Sequence, residues 1–535
     1  MTVPILASTA LGLLLAASLG FPTRVAALAD WLNGVVIAVF GTWFIWVIAL
    51  ATLLCAALAL WPKIGRLKLG REHDTPEYST PAWIAMLFGA GVSAALLKWS
   101  VAEPFHYIGS NPDLIQGITR EGTGENMQMA MKWAFLHWGF GAWATYAIIG
   151  LGFAFVCFRG GHPLTLRSAL KPLFGDTLSK SVGTMLNAFL VLATALCVLQ
   201  ILGFGMTHTI ASFDYLQPAT PGGMADNTRS GVIVAVGLVM ALAIGSCKLG
   251  LHRGLRRVSQ LNLWLSVLFL LALLSASSFT GLKALVICVG DYLFALPEMA
   301  FRVWRGDETE GSVMTQLEVW QVRWSMFHWT WWIPFAAFVG VFMARISKGR
   351  TVRELVLGAV LAPAAICFVW LTWAGGIAID LHLRGVPGID LLNVTNTDKL
   401  FALIGYLFTP QAALWMSVVA VVLIVTYLVS TVDSALFVMG SLSRNGRVSR
   451  QSHEGVIYWG AVLSAAAVAM HLLGATQALQ ALMCLMALPM SCLIVLQSVS
   501  LVMAVLREAG VLAPQDTAAE DDGAGGTLEP AVAAD

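Results

Sequence analysis

Long stretches of apolar residues, separated by short polar segments, recur along the chain from residue 2 to about residue 507. About twelve of these stretches reach roughly 20 residues, the length that an α-helix needs to cross a hydrocarbon core of about 30 Å. Unbroken apolar runs such as Val232–Ile244 lack the alternation that marks the strands of a membrane barrel. The pattern predicts an all-α polytopic membrane protein with about twelve transmembrane helices.

The centres of the predicted spans fall near residues 12, 48, 93, 145, 195, 240, 267, 337, 364, 422, 463 and 492. Thr2–Phe21 has no positively charged residue before its apolar run and is followed directly by further spans, so we interpret it as a span rather than a signal peptide. Lys283–Trp304 mixes apolar and charged residues, which predicts an amphipathic helix at the membrane surface, with an additional span as the alternative.

Composition and charge agree with this prediction. The chain is 58% hydrophobic and 11% charged, whereas a soluble chain carries about 25% charged residues. About two thirds of the 31 Lys and Arg residues fall in loops that follow even-numbered spans, which predicts cytoplasmic N- and C-termini. The net charge of +1 gives no reason to expect a nucleic acid partner. The tail from Glu508 to Asp535 is rich in Ala, Gly and acidic residues, as is typical of a disordered extension.

Small residues interrupt the third predicted span in the stretch Phe88–Ala95. Such residues allow a helix to open so that its carbonyl groups face a cavity, as at the substrate sites of secondary transporters. Close helix–helix packing is the alternative, and the stretch alone does not decide between the two. Gly91 and Ser93 are therefore candidate substrate-binding residues.

Aromatic residues are concentrated on the fourth and eighth predicted spans. The residues concerned are Trp138, Trp143 and Tyr146 on the fourth span and Trp329, Trp331, Trp332 and Phe335 on the eighth. Rings near the membrane surface usually form interface belts, which is our interpretation of Trp304, Trp320 and Trp324. Rings in mid-span instead suit a dry pocket for a quaternary ammonium group, which donates no hydrogen bond and is held by cation–π attraction.

A polar group follows the apolar stretch Val418–Val429 on the tenth predicted span. It consists of Ser430, Thr431, Asp433 and Ser434. Hydroxyl and carbonyl oxygens suit a hard cation such as sodium. A carboxylate within a span is costly and is a functional candidate, with pairing of Asp433 to Arg444 or Arg447 at a helix end as the alternative.

Four segments, in this order along the chain, resemble segments of the betaine/choline/carnitine transporter (BCCT) family. They are Lys63–Pro104, FLHWGFGAWATYA from Phe135, HWTWWIPFAAFVGVFMARISKGRTVRE from His328 and STVDSALFVMGSLS from Ser430. The resemblance covers nearly the whole hydrophobic part of the chain, and its ARISKGRT segment is specific.

The resemblance implies a fold of two inverted five-helix repeats preceded by two extra helices, alternating access and a homotrimer in the bacterial inner membrane. Accordingly, we expect residues 1–77 to form two spans and a loop, 78–278 the first repeat, 279–323 a surface helix and loop, 324–507 the second repeat and 508–535 the tail.

The family's functional residues carry over position by position. The implied aromatic box comprises Trp138, Trp143, Tyr146, Trp331, Trp332 and Phe335. A sodium site is implied between the third and tenth spans, formed by the backbone of Gly89, Val92 and Tyr427 and the hydroxyls of Ser430 and Thr431. Apart from a coupling ion, no cofactor is expected.

The sequence departs from the family pattern at three places. The motif Gly-Met-Gly-Ile-Gly is replaced by the residues from Gly91 to Ala95, Phe335 stands where Trp is common, and Lys98 replaces an aromatic residue. Lys98 lies roughly 7–10 Å along the helix from Gly91 and Ser93. We expect it to bind a substrate carboxylate or sulfonate or to form an outer gate, which favours zwitterions over choline. The alternative is that Lys98 extends to the lipid headgroups.

These observations predict a secondary transporter that imports a betaine-type quaternary ammonium or sulfonium zwitterion with ion coupling. Substrate/product antiport without ion coupling and a non-transporting osmosensor or receptor on the same scaffold are the alternatives. An osmosensor would be expected to carry a basic tail, whereas this tail is acidic. Neither His-Glu-x-x-His nor Gly-x-Ser-x-Gly occurs, so we do not expect an enzyme.

Overall fold

The computed structural model describes residues 2–91, 93–216, 228–386, 391–446 and 453–513. In these ranges the chain is helical, and β-type pairing is limited to one isolated antiparallel bridge between Lys68 and Thr351. Two predictions fall outside the described residues: the position of Val92, and the disordered tail from residue 514 onwards.

The helices of the first half are α1 Val3–Gly20, α2 Pro22–Leu60, α3 Pro62–Gly65, α4 Thr80–Ala90, α5 Ser93–Tyr107, α6 Pro112–Ile115, α7 Gly124–Trp138, α8 Phe140–Phe153, α9 Leu166–Ala169, α10 Lys171–Phe174, α11 Lys180–Leu216, α12 Thr228–Arg253 and α13 Leu255–Ser275. Those of the second half are α14 Gly281–Met299, α15 Val313–Gln321, α16 Phe327–Ile346, α17 Val352–Val356, α18 Ala362–Trp370, α19 Gly376–Leu383, α20 Lys399–Leu407, α21 Pro410–Ser443, α22 His453–Leu472, α23 Thr476–Leu485 and α24 Ala487–Glu508. Short π-helical segments occupy Ala154–Phe158, Val322–Met326, Leu357–Leu361 and Leu371–Gly375.

The helices match the predicted spans. Eleven helical segments of the described chain are long and apolar enough to cross a membrane, and the bent pair Thr80–Ala90 and Ala95–Ile115 forms a twelfth candidate. Each predicted centre lies within one of these segments or at the bend, so the all-α membrane fold with about twelve spans is confirmed. Helix α14, predicted to lie at the membrane surface, is not among the candidate spans.

Burial separates central from peripheral spans. The apolar window of the span Gly124–Phe158 is 83% buried and that of Val313–Ile346 is 94% buried, against 22% for Val3–Gly20. Helices α8 and α16, which belong to the two buried spans, pack along one another. The aromatic residues of the fourth and eighth spans therefore lie at the centre of the bundle.

Irregular backbone is found at three places beside these aromatic residues. The third span bends by 69° after Gly91. The fourth span breaks at Gly139, where a Cβ atom would lie 2.3 Å from the carbonyl oxygen of Phe135, so the bend needs glycine. The π-helical segment Val322–Met326 precedes α16. Such interruptions inside a membrane protein are tolerated where the backbone is covered by protein or lines a cavity.

Candidate functional site

Six aromatic rings from α7, α8 and α16 meet at the centre of the bundle and form the aromatic box that the resemblance implied. The ring of Trp332 lies in the middle, with centroid distances of 5.5 Å to Trp138, 5.7 Å to Trp143, 5.7 Å to Tyr146 and 5.9 Å to Trp331. Phe335 joins the group through Trp331, at 5.0 Å. All six side chains are buried, so their rings offer π-faces away from water.

Three polar atoms of the box have no hydrogen-bond partner among the described residues. They are the hydroxyl of Tyr146 and the indole Nε1 atoms of Trp331 and Trp332. A buried donor without a partner is costly, and most such groups in proteins are paired. The box therefore combines ring faces suited to a cation with free donors suited to an anionic or hydroxyl group of the same ligand.

The bend of the third span lies against this box. A Cβ atom on Gly91 would lie 2.8 Å from Cη2 of Trp143, so the backbone of Gly91 touches the indole directly. Phe88, three residues earlier, stacks on the same indole with a centroid distance of 6.1 Å. Helix α5 begins at Ser93, whose side chain is outside the described part. The structure thus brings the helix break and the box together.

Oxygen atoms converge between the bend and α21, where a sodium site is implied. Oγ1 of Thr431 donates a hydrogen bond to one of three nearby carbonyl oxygens, those of Gly91 at 2.9 Å, Tyr427 at 3.1 Å and Gly89 at 3.3 Å. Oγ of Ser430 accepts a hydrogen bond from Nδ2 of Asn262 at 3.1 Å. Hydroxyl and carbonyl oxygens on two helices form a donor set of the kind that binds hard cations.

Two polar residues of α13 extend this group of oxygens and were missed in the sequence. Oδ1 of Asn262 and Oγ of Ser259 are buried without a hydrogen-bond partner among the described residues. Ser259 contacts the backbone near Gly89, where a Cβ atom would lie 3.0 Å from its Oγ. Unpartnered oxygens beside the carbonyl cluster support a cation site there. The signal available in the sequence was the presence of polar residues within an apolar span.

Lys98 on α5 packs against α11. Its Nζ atom lies 5.3 Å from the ring centroid of Phe204 on α11 and 5.4 Å from that of Trp99. Together with His208, these residues line a crevice of about 20 Å³. The described contacts of Lys98 are with rings outside the aromatic box, and its expected role toward a substrate anion or as an outer gate stays a prediction.

Asp433 is buried in the interior of α21. Its Oδ2 accepts a hydrogen bond from the hydroxyl of Ser246 on α12, while Oδ1 has no hydrogen-bond partner among the described residues. Asp433 therefore links α12 to α21.

A wide cavity of about 470 Å³ opens beside α15 and is here called the vestibule. Trp320 and Trp324 line it, together with His106 and Arg323. Both indoles pack on the ring of Tyr107, at 5.4 Å and 4.8 Å. The prediction that Trp304, Trp320 and Trp324 form an interface belt is wrong, because Trp304 and Trp320 are buried within the protein and Trp324 is half-buried against Tyr107.

A cluster of one carboxylate and two imidazoles lies between the vestibule and the aromatic box. Glu103 contacts His137 at 3.1 Å and His328 at 3.0 Å, and it accepts a 2.6 Å hydrogen bond from the indole of Trp138. Sequence reasoning missed this cluster because its members come from three helices and share no sequence motif. A carboxylate within the third span was the available signal.

Ionic contacts of a different kind occur at the end of the bundle that carries the basic loops. Glu77 pairs with Arg345 and with His252, each at 2.8 Å. The guanidinium of Arg350 lies 4.0 Å over the ring of Trp83. We call these five residues the basic-end cluster.

Glu77, in the loop before α4, has a shifted pKa. Burial pushes the pKa of this carboxyl upward, but the hydrogen bond and the positive charge of Arg345 outweigh burial and lower it below its usual value. Glu77 is therefore ionised at neutral pH. In this form it joins the loop to α12 through His252 and to α16 through Arg345.

The chain is similar to members of one transporter family over nearly its whole length. The family model of betaine/carnitine/choline transporters (BCCT) matches residues 2–510. An osmo-independent choline transporter of Acinetobacter baylyi is 35% identical over 484 residues, which cover 89% of this chain and 88% of the relative. A probable glycine betaine transporter of Desulfitobacterium hafniense is 33% identical over 448 residues, covering 83% and 84%. The glycine betaine transporter OpuD of Bacillus subtilis is 31% identical over 471 residues, covering 88% and 87%.

Proposed function

Because the chain belongs to the betaine/carnitine/choline transporter (BCCT) family, a family of secondary transporters and not of enzymes, we propose that it imports glycine betaine, choline or a closely similar compound across the membrane. The six-ring aromatic box carries the proposal. Each ring face that contacts a desolvated quaternary ammonium group contributes about 2 kcal/mol. A quaternary ammonium headgroup has no hydrogen-bond donors of its own, so none of its groups is left unpaired when the rings enclose it.

The free donors of the box complement the other end of such a substrate. The hydroxyl of Tyr146 and the indole nitrogens of Trp331 and Trp332 are available to the carboxylate of glycine betaine or the hydroxyl of choline. The substrate thus supplies hydrogen-bond acceptors for these three groups, which have none among the described residues. Gly91, which touches Trp143, lets the unwound backbone approach the same ligand, and Ser93 at the start of α5 belongs to the proposed site as well.

We propose that substrate movement is coupled to an ion. The proposed sodium site comprises the oxygens of Gly89, Tyr427, Ser430 and Thr431. The backbone of Val92, which lies outside the described residues, belongs to the same proposal. A cation there would hold the bent third span against α21, which places Gly91 against the box. Ion and solute would bind from one side, and the two inverted repeats would then rock to open the other side.

The setting is a bacterial inner membrane, with both termini in the cytoplasm and the chains assembled as a homotrimer. The excess of Lys and Arg in the loops after even-numbered spans supports this orientation. It places the basic-end cluster on the cytoplasmic side and the vestibule outside.

Uptake by purified protein in liposomes tests the function. We expect saturable uptake of labelled choline or glycine betaine, and at least about thirtyfold weaker competition by 3,3-dimethylbutanol, the neutral isostere of choline, because it lacks the cation–π attraction. Equal competition by the isostere would refute the aromatic box as a cation site.

The coupling ion is tested in the same liposomes. An inward sodium gradient should drive accumulation, and replacement of sodium by potassium at constant pH should abolish it. Accumulation that persists in potassium would contradict the sodium site, and exchange without net accumulation would identify an antiporter.

A further inference from the structure

Glu103 on α5, His137 on α7 and His328 on α16 meet beside the aromatic box and are 0%, 0% and 6% exposed. The proposed function gives them no role. We propose that Glu103 and His328 share a proton that is released when a cationic headgroup enters the aromatic box, so that this pair makes substrate selection depend on charge and pH. The inference rests on the proposed function, because it requires the box to bind cations.

The hydrogen bonds of His328 require the shared proton. Its Nδ1 lies 2.7 Å from the carbonyl oxygen of Trp324, which can only accept, so Nδ1 carries a hydrogen. Its Nε2 lies 3.0 Å from Oε2 of Glu103. In a neutral imidazole with hydrogen on Nδ1, Nε2 has only a lone pair and would face an ionised carboxylate oxygen as acceptor against acceptor. The contact is satisfied only if one proton lies on His328 or on Glu103.

The other neighbours of Glu103 are donors or are already satisfied. Trp138 donates to Oε2 at 2.6 Å, and the hydroxyl of Tyr107 donates to Oε1 at 2.9 Å. His137 is satisfied as a neutral ring, with Nδ1 3.1 Å from Oε1 and Nε2 3.0 Å from the hydroxyl of Ser325. The cluster with its shared proton is therefore electrically neutral. Loss of that proton leaves one negative charge, which Trp138 and Tyr107 still stabilise.

A metal ion is a second possible occupant of such a cluster, because one ligand atom from each residue lies within 4.8 Å of the others. The two imidazoles, however, stack face to face with a centroid distance of 4.3 Å and an interplanar angle of 10°. Their in-plane lone pairs are thus not arranged to converge as tetrahedral coordination requires. In addition, the hydrogens of Trp138 and Tyr107 point at the carboxylate. The geometry favours a proton.

Trp138 connects this cluster to the box. Its N–H bonds Glu103 while its ring packs on Trp332 at 5.5 Å. A cation held within about 6 Å of the Trp138 ring centroid lies within roughly 10 Å of the carboxylate, close enough to change affinity about tenfold. A positive headgroup stabilises the deprotonated pair, which carries one negative charge. Binding of choline therefore releases the proton. Glycine betaine should respond less, because its own carboxylate offsets the headgroup charge.

The sign of the pH effect follows from this displacement. Since choline binds better to the deprotonated pair, its affinity should rise as the pH rises through the titration of the pair. The vestibule offers the proton a way out, because Trp320 and Trp324 at its floor pack on Tyr107, which contacts both Glu103 and His137.

Other titratable or charged groups surround the cluster and must be separated from it. His106 bonds Asn396 at 3.0 Å and packs on Trp324. Further groups on neighbouring segments are Arg323 over Trp324, Lys399 and His382 against Phe105, Lys98 over Trp99, and Lys132 of α7, which pairs with Asp113. Two of these groups are histidines, and His106 lies three residues from Glu103 on α5, which makes it the natural control.

Calorimetric titration of the purified protein tests the proposal. Choline and glycine betaine are titrated in phosphate and in imidazole, two buffers that differ in ionisation heat, at about pH 6 and about pH 8. Proton release then appears as a difference in binding heat between the two buffers. For the wild-type protein we expect proton release with choline, about tenfold tighter choline binding at the higher pH, and a smaller response to glycine betaine.

Two variants assign the proton to this pair. Glu103→Gln cannot ionise, so choline should bind more weakly, with affinity independent of pH and without proton release. In His328→Gln, the amide donates a hydrogen bond to Glu103 but shares no proton with it. Choline should therefore bind tightly at both pH values, again without proton release. This variant still tests the inference if Glu103→Gln does not fold. His106→Gln should behave like the wild type.

Wild-type binding of choline without proton release, or release that persists in Glu103→Gln, would overturn the inference. A protein that binds neither choline nor glycine betaine at any pH would instead refute the proposed function.

Discussion

Two tryptophans, Trp83 at the basic end and Trp332 in the aromatic box, are both almost fully buried and yet have opposite surroundings. The indole nitrogen of Trp83 donates to Ser347 at 2.9 Å, and the ring carries the guanidinium of Arg350 at 4.0 Å. The nitrogen of Trp332 has no partner, and no Lys or Arg side chain of the described chain lies over a ring of the box.

The difference shows how the protein uses the same side chain for two purposes. At the basic end the protein supplies both the cation and the hydrogen-bond acceptor, so Trp83 joins α4 to the segment after α16. In the aromatic box, the cation and the hydrogen-bond acceptor are left for a ligand to supply. A buried indole whose nitrogen has no hydrogen-bond partner, and over whose ring the protein places no cation, is a better guide to the binding site than aromatic content alone.

Replacing Trp83 and Trp332 by leucine, one at a time, tests the contrast between them and has the largest expected effect. Trp332→Leu removes the central ring of the box, and we expect choline and glycine betaine to bind about thirtyfold more weakly, the loss of about one desolvated cation–π contact. Trp83→Leu should leave affinity within about twofold of the wild type and lower thermal stability instead, since it removes only contacts within the protein.

Calorimetric affinity and the thermal unfolding midpoint, measured on both variants, distinguish the two outcomes. Equal loss of affinity in Trp83→Leu and Trp332→Leu would mean that the box has no special role.

The backbone beneath the box provides a second, smaller test. Gly91→Ala places a Cβ atom 2.8 Å from Cη2 of Trp143, so the ring must move, and we expect affinity to fall about tenfold. Gly245→Ala on α12 is the matched control, because a Cβ atom there meets nothing within 4 Å. It should bind normally. Binding titrations on the two variants check the expectation, which unchanged affinity in Gly91→Ala would contradict.

Much of the fold could be predicted from the sequence, because the bilayer imposes a length on every apolar segment. The twelve predicted centres depend only on that length and on hydropathy. The bend near Gly91 was one of the two interpretations that the small residues in mid-span allowed, close helix packing being the other. In these features the local sequence and the solvent decide the structure.

The arrangement of the site was predictable only in part. The rings of the box were identified from their clustering and from a family resemblance, yet neither shows which indole nitrogens lack partners. The cluster of Glu103, His137 and His328 depends on the packing of three helices, and its members lie up to 225 residues apart along the chain. For the same reason Trp320 and Trp324 were misinterpreted: their position near a span end fits an interface belt, whereas tertiary packing buries Trp320 and half-buries Trp324 against Tyr107.

The basic-end cluster should give the smallest effect. Glu77→Gln keeps the shape of the side chain but removes the charge that holds Arg345 and His252. Because the pair is partly exposed, its loss should cost about 1 kcal/mol or less of stability and leave substrate affinity unchanged. Glu72→Gln is the control, since Glu72 is largely exposed and pairs with Arg159 at 3.3 Å, so that its loss should cost less still.

The pH dependence of this effect follows from the lowered pKa of Glu77. A carboxyl whose pKa is depressed in the folded protein contributes stability that is present above its ordinary pKa, about 4, and is lost as the pH falls through the lowered value. The thermal unfolding midpoints of wild type and Glu77→Gln should therefore differ at neutral pH and converge in acid. A difference that grows as the pH falls would show that the carboxylate of Glu77 is not what joins the loop to α12 and α16. The basic end would then not be an example of charges paired within the protein, and its contrast with the aromatic box, which depends on a ligand, would not hold.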